Sequence, residues 1–390
     1  MEKWKKTTIE ECTDVLGDGL HGTPKYTPDG EYAFINGNNL IDGKIVIKKD
    51  TKRVSEEEYE KYKKPLNERT LFVSINGTLG NVGIYGGEQV ILGKSACYFN
   101  VKECVDKAFI YYVVCTPDFK QYLETNATGT TIKNVSLKQM REYKFNIPDF
   151  QTQRKISSLL GTIDKKIRNN KEINDNLLSQ MEALYKAWFK DFVPFGGERP
   201  TSWKKTGIYS IANIIYGAPF SSKLFNTDGD GMPIIRIRDL REQAFVTYTT
   251  EQHPKGHLIQ PGDIVVGMDG EFRPYIWGNT EAWLNQRVCI FENKRPKGKA
   301  FVLYTIKPLL YQIEQTQVAT TVIHIGKKDY DAFEFYLPND DTLDQFDEIS
   351  CPMIDQIVVN RLENKRLAEM RDAILPKLMS GELDVSAVDI

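Results

Sequence analysis

The chain has 390 residues, 41% of them hydrophobic, with 51 Lys and Arg against 53 Asp and Glu, a net charge of −2. That length supports two or three cores, and no apolar run approaches the roughly 18 residues of a membrane-spanning helix. A multidomain cytoplasmic protein without membrane association is therefore expected.

The opening MEKWKKTTIEEC has basic residues but no apolar stretch behind them, so it is read as unprocessed. The six cysteines (Cys12, Cys97, Cys104, Cys115, Cys289, Cys351) include no C-x-x-C pair and sit mostly among apolar neighbours, as buried reduced thiols do. Disulfides and zinc are not expected. Lys and Arg against Asp and Glu number 21 and 21 in residues 1–150, 8 and 6 in 151–198, 17 and 14 in 199–339, and 5 and 12 in 340–390. The acid is concentrated at the end of the chain, and this balance neither excludes nor implies a polyanionic partner.

In chain order, the β-branched and aromatic runs YAFI (residues 32–35), KIVIK (44–48), TLFVSI (70–75) and QVIL (89–92), separated by Gly, Asn and Asp, predict strands. DKAFIYYVVCTPDFKQYLETN (106–126) predicts two short helical turns broken before Pro117. After Pro148 the period changes. Ile156, Leu159, Leu160, Ile163, Ile167, Ile173, Leu177, Met181, Leu184 and Trp188 recur at three- and four-residue steps. A helix of about 40 residues, ~60 Å long, follows from that spacing. Ile156, Ile163, Leu177 and Leu184 share one heptad position, and Asn170 holds the same position in mid-helix, where a polar residue fixes register.

The second half then repeats the first. WKK at residues 4–6 returns at 203–205, AFINGNNL (33–40) is echoed by IIRIRDL (234–240), and LFVSINGTLG (71–80) by IVVGMDGEFR (264–273). LGKSACYF (92–99) matches LNQRVCIF (284–291), AFIYYVVCTPDF matches AFVLYTIKPLL, and TTIKNVSLKQMREYKFNIPDFQTQRKI (130–156) matches TTVIHIGKKDYDAFEFYLP (320–338). The offset drifts only from about 200 to 190, so the halves are duplicates, each a mixed α and β unit followed by a helix. The second helix is expected from about Met353 to Met379, through Ile354, Ile357, Val358, Leu367, Ile374, Leu375 and Leu378. Arg361 aligns with Asn170, and Pro376 is expected to kink or end the helix. Two such stripes favour an antiparallel pair with a globular unit at each end, in pseudo-two-fold symmetry. The pair would pack through Ile156, Leu160, Ile163, Ile167, Asn170, Leu177, Leu184, Ile354, Val358, Arg361, Leu367, Ile374 and Leu378.

Catalytic motifs fail on context. GDGLHG (17–22) fits G-x-G-x-x-G, but Thr23-Pro24 follows and no helix can open there. GEQVILGKS (87–95) has five residues between the glycines where a phosphate loop has four, and the second copy replaces Gly-Lys-Ser by Asn285-Gln286-Arg287. His253 and His257 are separated by Pro254 and Gly256, which forbid the helix that would aim both at one metal. No G-x-S-x-G occurs, and no Asn-Pro-Pro-aromatic tetrapeptide of the amino-methyltransferase type.

Polar and basic loops remain, at matching places in both halves. Amides and guanidinium groups suit adenine and guanine edges, whereas Lys and Thr suit phosphates. The candidate DNA-contacting residues of the first half are His21, Thr23, Lys25, Tyr26, Asn36, Asn38, Lys48, Lys49, Asn76, Thr78, Thr130, Thr131, Lys133 and Asn134. Those of the second are Ser221, Arg236, Arg238, Asp269, Arg273, Asn285, Gln286, Arg287, Lys297, Thr320, Thr321 and His324. A duplicated protein-interaction scaffold with a coiled-coil association region is the alternative reading, supported by the near-neutral charge and the acidic end.

DGLHGTPKYTPDG, TGTTIKNVS leading to FNIPDFQTQRKISSLLGTIDKKI, MDGEFRPYIWGNTEAWLNQRVCIF and NKRLAEMRDAILPKLMSGEL together resemble the specificity subunits of Type I restriction-modification systems, over nearly the whole chain. The resemblance implies an α+β fold of two pseudo-symmetric target-recognition domains, residues 1–149 and 193–338, separated by an antiparallel pair of long helices in residues 150–192 and 339–390. It implies a subunit without catalysis or bound cofactor that reads a bipartite double-stranded DNA target and docks two modification subunits. S-adenosylmethionine belongs to those subunits, and ATP and Mg to restriction subunits where these join. The family often has Glu-Gln shortly after Ile-Pro, where this chain has Thr152-Gln153 and, in the second copy, an acidic stretch.

Overall fold

The computed structural model describes residues 4–316 and 324–388. The chain divides into two compact units, Met1–Lys165 with Ala368–Ile390, and Lys166–Leu367. Both are built from mixed sheets and helices.

The first unit has a four-stranded antiparallel sheet in the order Thr13–Asp18, Ala96–Val101, Thr70–Ser74, Val82–Ile84. The second has the same sheet from Ala212–Tyr216, Val288–Asn293, Ile264–Gly267 and Pro274–Ile276. Its central strands are apolar on both faces, because alternate residues point to opposite sides. Leu71, Val73, Cys97 and Phe99 enter one core, while Phe72, Ala96 and Tyr98 enter another. In the second unit Ile264, Val266, Cys289 and Phe291 part in the same way from Val265, Val288 and Ile290. Cys97 and Cys289 occupy equivalent places, and burial pushes both thiols up to about 12; Cys104, in contrast, is exposed. Each unit adds a parallel strand pair, Tyr32–Ile35 with Val90–Leu92 and Met232–Ile235 with Ala282–Leu284. Each also closes its ends with a ribbon, Lys5–Thr8 with Lys144–Ile147 and Lys204–Gly207 with Glu334–Leu337.

The helical segment on the sheet differs between the copies at its proline. In the first, helices Lys107–Cys115 and Pro117–Asn126 break at Thr116, whose hydroxyl donates to the Val113 carbonyl and accepts the Phe119 amide. In the second, Lys307 stands before the proline and no side-chain cap competes, so Lys299–Thr316 runs through Pro308.

The first long helix spans Phe150–Phe189 and the second Asp340–Ser380. Each contributes one stretch to each unit. Proline sets their entry and the next residue caps it: the Asp149 carboxylate accepts the amides of Gln151 and Thr152 at 2.9 and 3.1 Å, and the Asn339 oxygen accepts that of Thr342 at 3.3 Å. The second helix therefore starts 13 residues before the Met353 expected from periodicity. It also continues four residues past Pro376. Pro352 and Pro376 each remove a helical hydrogen bond, but both are exposed, and each stretch of the helix is anchored in the core of its own unit, by Leu343 and Phe346 or by Leu375 and Leu378.

The stretches run antiparallel within each unit. In the first, Arg371 bonds Asp164 at 2.8 Å, and Tyr112 donates to the other oxygen of that carboxylate at 2.7 Å. In the second, Asn170 Nδ2 donates to Asn364 Oδ1 at 2.9 Å and to Glu363 at 2.6 Å, and Asn360 Nδ2 donates to Asn174 Oδ1 at 2.8 Å. Asn170, Asn174 and Asn360 are buried, so the register is set by an asparagine ladder. Two expectations change. Ile173 lies outside the seam at 47% exposure, because Asn174 takes the inward position beside it. Arg361 does not face Asn170; its guanidinium donates to the Ile276 carbonyl and its stem lies against Gly278, where a Cβ would sit 2.1 Å from it. Of the other residues expected to pack the pair, Ile156, Leu160, Ile163, Ile354 and Leu378 are buried, and Ile167, Leu177, Leu184, Val358, Leu367 and Ile374 are half-buried.

The joint between domain and helix is made differently in each unit. Gln153 is buried, accepting the Asp106 amide and donating to the Pro148 carbonyl, both at 2.9 Å. Leu343 stands at the equivalent place, and Arg295 instead gathers Asp340, Asp344 and Asp347. Asp347 is buried with Oδ1 lacking a hydrogen-bond partner, and burial raises its carboxyl above the ordinary range against the pull of Arg295.

Two outcomes follow. Asn174→Leu leaves Asn360 without its buried partner and should lower stability by roughly 1–3 kcal/mol, whereas the pair Asn174→Leu with Asn360→Leu should recover most of it; denaturant titration checks this, and equal losses would remove the ladder from the account. Because the native state holds the Asp347 proton more tightly than the unfolded chain, this group's contribution is greatest at low pH and falls as pH rises through the interval from the ordinary carboxylate pKa to the raised one. Asp347→Asn should therefore gain melting temperature relative to the parent at pH 7 compared with pH 4. A pH-independent difference would contradict it.

Candidate nucleic-acid interface

Three segments meet at one end of each sheet, tied by the same backbone hydrogen bonds. In the first unit the Ile75 amide donates to Ser95 O at 2.9 Å and Val135 donates to Ile75 O at 2.8 Å. In the second, Met268 donates to Arg287 O and Ile325 to Met268 O, both at 2.9 Å. Outside these come the antiparallel bridges Asn76 to Asn134 and Asp269 to His324, and the parallel bridges Leu20 to Gly93 and Ala218 to Asn285. The approach of the last pair requires glycine: a Cβ on Gly19 would lie 2.3 Å from Gly93 O, and on Gly217 2.0 Å from Asn285 O. Short helical turns complete the cleft, with the Asn36 amide donating to Asn39 Oδ1 and the Arg236 amide to Asp239 Oδ2, each at 3.0 Å.

On this common backbone the side chains differ. The first cleft is an open pocket lined by Asp18, His21, Asn76, Lys94, Asn134 and Ser136, continued by a second one with Asn36, Asn38, Thr78 and Ser95. Asn76 Nδ2 donates to Asn134 Oδ1 at 3.1 Å, and His21 lies 2.5 Å from Asp18. The Ser95 hydroxyl donates to Asn36 Oδ1 and accepts the Gly37 amide. In the second unit the equivalent places hold Asp269, His324 and Arg287. Asp269 Oδ1 lies 2.6 Å from His324 Nδ1, and Oδ2 lies 3.6 Å from Arg287 Nε.

The structure thus brings His21, Asn36, Asn38, Asn76, Thr78 and Asn134 together. Lys48 joins them by donating to the Asn38 carbonyl at 3.3 Å. Thr130, Thr131 and Lys133 lie in the turn that Thr128 and Asn134 close, with Lys133 paired to Glu124. Thr23 and Lys49 are exposed on neighbouring loops, the Lys25 amide is held by Glu58, and Tyr26 bridges Val54. In the second unit Asn285, Gln286 and Arg287 form one turn, and Arg238 is exposed beside Asp239. Thr320 and Thr321 lie outside the described residues.

Arg236 and Arg273 are engaged elsewhere, and Lys297 is placed elsewhere. The Arg236 guanidinium turns inward to Thr247 and Asp239. Arg273 pairs with Glu314 through both carboxylate oxygens, which holds that carboxyl below its usual range. The Ser221 amide binds Glu251 at 2.7 Å. Lys297 follows the far end of Val288–Asn293, about 20 Å along the strand from Arg287, among the acids that Arg295 gathers. Asp18, Lys94, Ser95 and Ser136 were missed. For Lys94 and Ser95 the signal was the alignment of Gly93-Lys94-Ser95 with Asn285-Gln286-Arg287, which marks one turn in two chemistries; Asp18 and Ser136 join from other segments.

The Type I restriction modification DNA specificity domain model matches residues 1–179 and 200–369. The chain belongs to that family. It is 39% identical over 128 residues to the Type I restriction enzyme EcoBI specificity subunit of Escherichia coli, covering 33% of this chain but only 27% of that protein. Against the MjaIX specificity subunit of Methanocaldococcus jannaschii, identity is 23% over 305 residues, 73% of this chain and 71% of the relative. In fold it is similar to the crystal structure of a Type I restriction-modification S subunit from M. genitalium, with a TM-score of 0.58 and 18% identity over 97% of this chain and 96% of that one. This Type I specificity subunit has no helix, among its described residues, long and apolar enough to cross a membrane.

Because Arg236 faces inward, Arg236→Ala should cost roughly 1–3 kcal/mol of stability while leaving base preference intact. Denaturation together with a binding selection checks this; a stable variant with altered preference would return Arg236 to the reading surface.

Proposed function

We propose that this subunit reads a bipartite double-stranded DNA target, one part with each cleft, and presents it to two adenine-methylating modification subunits. The observation carrying this reading is the pair of backbone-equivalent clefts with non-equivalent side chains. A common scaffold gives each domain the same approach to a duplex, and different polar groups give each a different sequence. The chain contributes recognition and no catalysis. S-adenosylmethionine is bound by the modification subunits, and ATP and Mg by restriction subunits where two of these join. The assembly acts on cytoplasmic DNA.

Lys48, exposed at the rim beside Asn38, and the rim lysine Lys94 suit phosphates. They would strengthen binding to every sequence through counterion release.

The test is co-expression of the full chain with its modification subunit in a host lacking adenine methylation, followed by mapping of methylated adenines. A two-part consensus with an unread gap is expected, and methylation without a consensus would overturn the reading. In salt titrations of the assembly, Lys48→Ala should weaken all sequences alike and reduce the slope of log K against log salt by roughly 0.9.

A further inference from the structure

We propose that the clefts read different purines: Asn76 and Asn134 read an adenine in one part of the target, and Arg287, braced by Asp269 and His324, reads a guanine in the other. The inference rests on the DNA-reading function proposed above and names the bases.

In the first cleft, the hydrogen bond from Asn76 Nδ2 to Asn134 Oδ1 holds the two amides against each other and leaves the Asn76 oxygen as an acceptor and the Asn134 amide nitrogen as a donor. Turning both amides over reverses the bond and leaves the same complement. One acceptor beside one donor matches the major-groove edge of adenine, which offers N6–H and N7. Guanine offers two acceptors there, and the amide oxygen would meet one of them without a proton between. The third place of this cleft adds no reader, since the Ser95 hydroxyl is engaged with Asn36 and Gly37.

In the second cleft that third place is Arg287, half exposed. Its Nη1 lies 3.3 and 3.5 Å from the two ring nitrogens of His324. An Nη1–H is thus directed at the imidazole, which holds that end of the guanidinium against His324. No hydrogen bond of Nη2 is found among the described residues, so that end of the fork is available. Asp269 bonds the ring and flanks Nε, holding both groups in place. The result is a planar fork of donors held in one orientation, the complement of guanine O6 and N7. Adenine would set its N6–H against the same donors.

The test uses the full chain co-expressed with its modification subunit and the methylated consensus as readout. Arg287→Gln should reduce preference for guanine at one position of one part roughly ten- to a hundredfold, leaving the other part unchanged. Arg287→Ala should lose the same preference, since no donor is left to face guanine O6 and N7. Asn134→Leu and Asn76→Ser should each relax an adenine position in the other part. The unaffected part shows that each variant is folded. The inference is overturned by an unaltered consensus in either set, by retained guanine preference in Arg287→Ala, by a change at a base other than those named, or by loss of all methylation in both variants of a set. A wild-type chain that yields no two-part consensus would instead overturn the function proposed above, and this inference with it.

Discussion

Three backbone segments, separated by 19 to 60 residues in sequence, are held at one end of each sheet by two amide hydrogen bonds through a single residue, Ile75 in the first unit and Met268 in the second. Everything at the cleft depends on that brace. It orders loops that would otherwise pay their conformational entropy on meeting a partner, and it does so without using side chains. The side chains on those loops are thereby free to differ. The glycines Gly19 and Gly217 belong to the same device, since any side chain there would push the outer segment away from the turn it bridges.

The sheet behind the cleft explains why the brace is rigid. Both of its faces are buried, with successive residues of Thr70–Ser74 and Ala96–Val101 feeding two separate cores. A shift of register by one residue would exchange the contents of those cores. The helices add a second form of register control. Asn170, Asn174 and Asn360 can all be satisfied only at one alignment, and sliding by a turn would strand polar groups in a buried seam.

The duplication and the mixed α and β character were legible because they live on local signals: β-branched runs, glycine turns and a period of 3.6 recurring at a near-constant offset. The entry of the first long helix after Pro148 was legible for the same reason, whereas the second helix, read from the apolar spacing alone, was expected to start only at about Met353 and in fact starts at Asp340. His21, Asn36, Asn76 and Asn134 could be named as polar loop residues of one half, but their meeting could not, since it follows from pairing across the sheet. Partners at long range were invisible. Glu314 reaches Arg273 across 41 residues, removing a guanidinium that loop position alone offered to DNA, and Asp347 reaches Arg295 across 52. Arg361 was aligned with Asn170 one residue out of register: the offset of 190 between the caps Asp149 and Asn339 pairs Asn170 with Asn360, and Arg361 reaches the Ile276 carbonyl instead.

The two clefts also differ in charge, and that difference bears on how a reader avoids becoming a general polyanion binder. An unpaired arginine at a groove attracts any phosphate, which raises affinity for all sequences equally and therefore adds nothing to discrimination. Asp269 beside Arg287 offsets that attraction while leaving the directional hydrogen bonds of the fork in place. The carboxylate also repels a phosphate approaching the same spot. In the first cleft neutral amides serve without such a partner, because they carry no net charge to offset. On the proposed reading, an acid next to Arg287 is consistent with recognition by shape and hydrogen bonding, and the near-neutral chain as a whole fits the same logic, in which rim lysines would supply general attraction and the cleft floor choice.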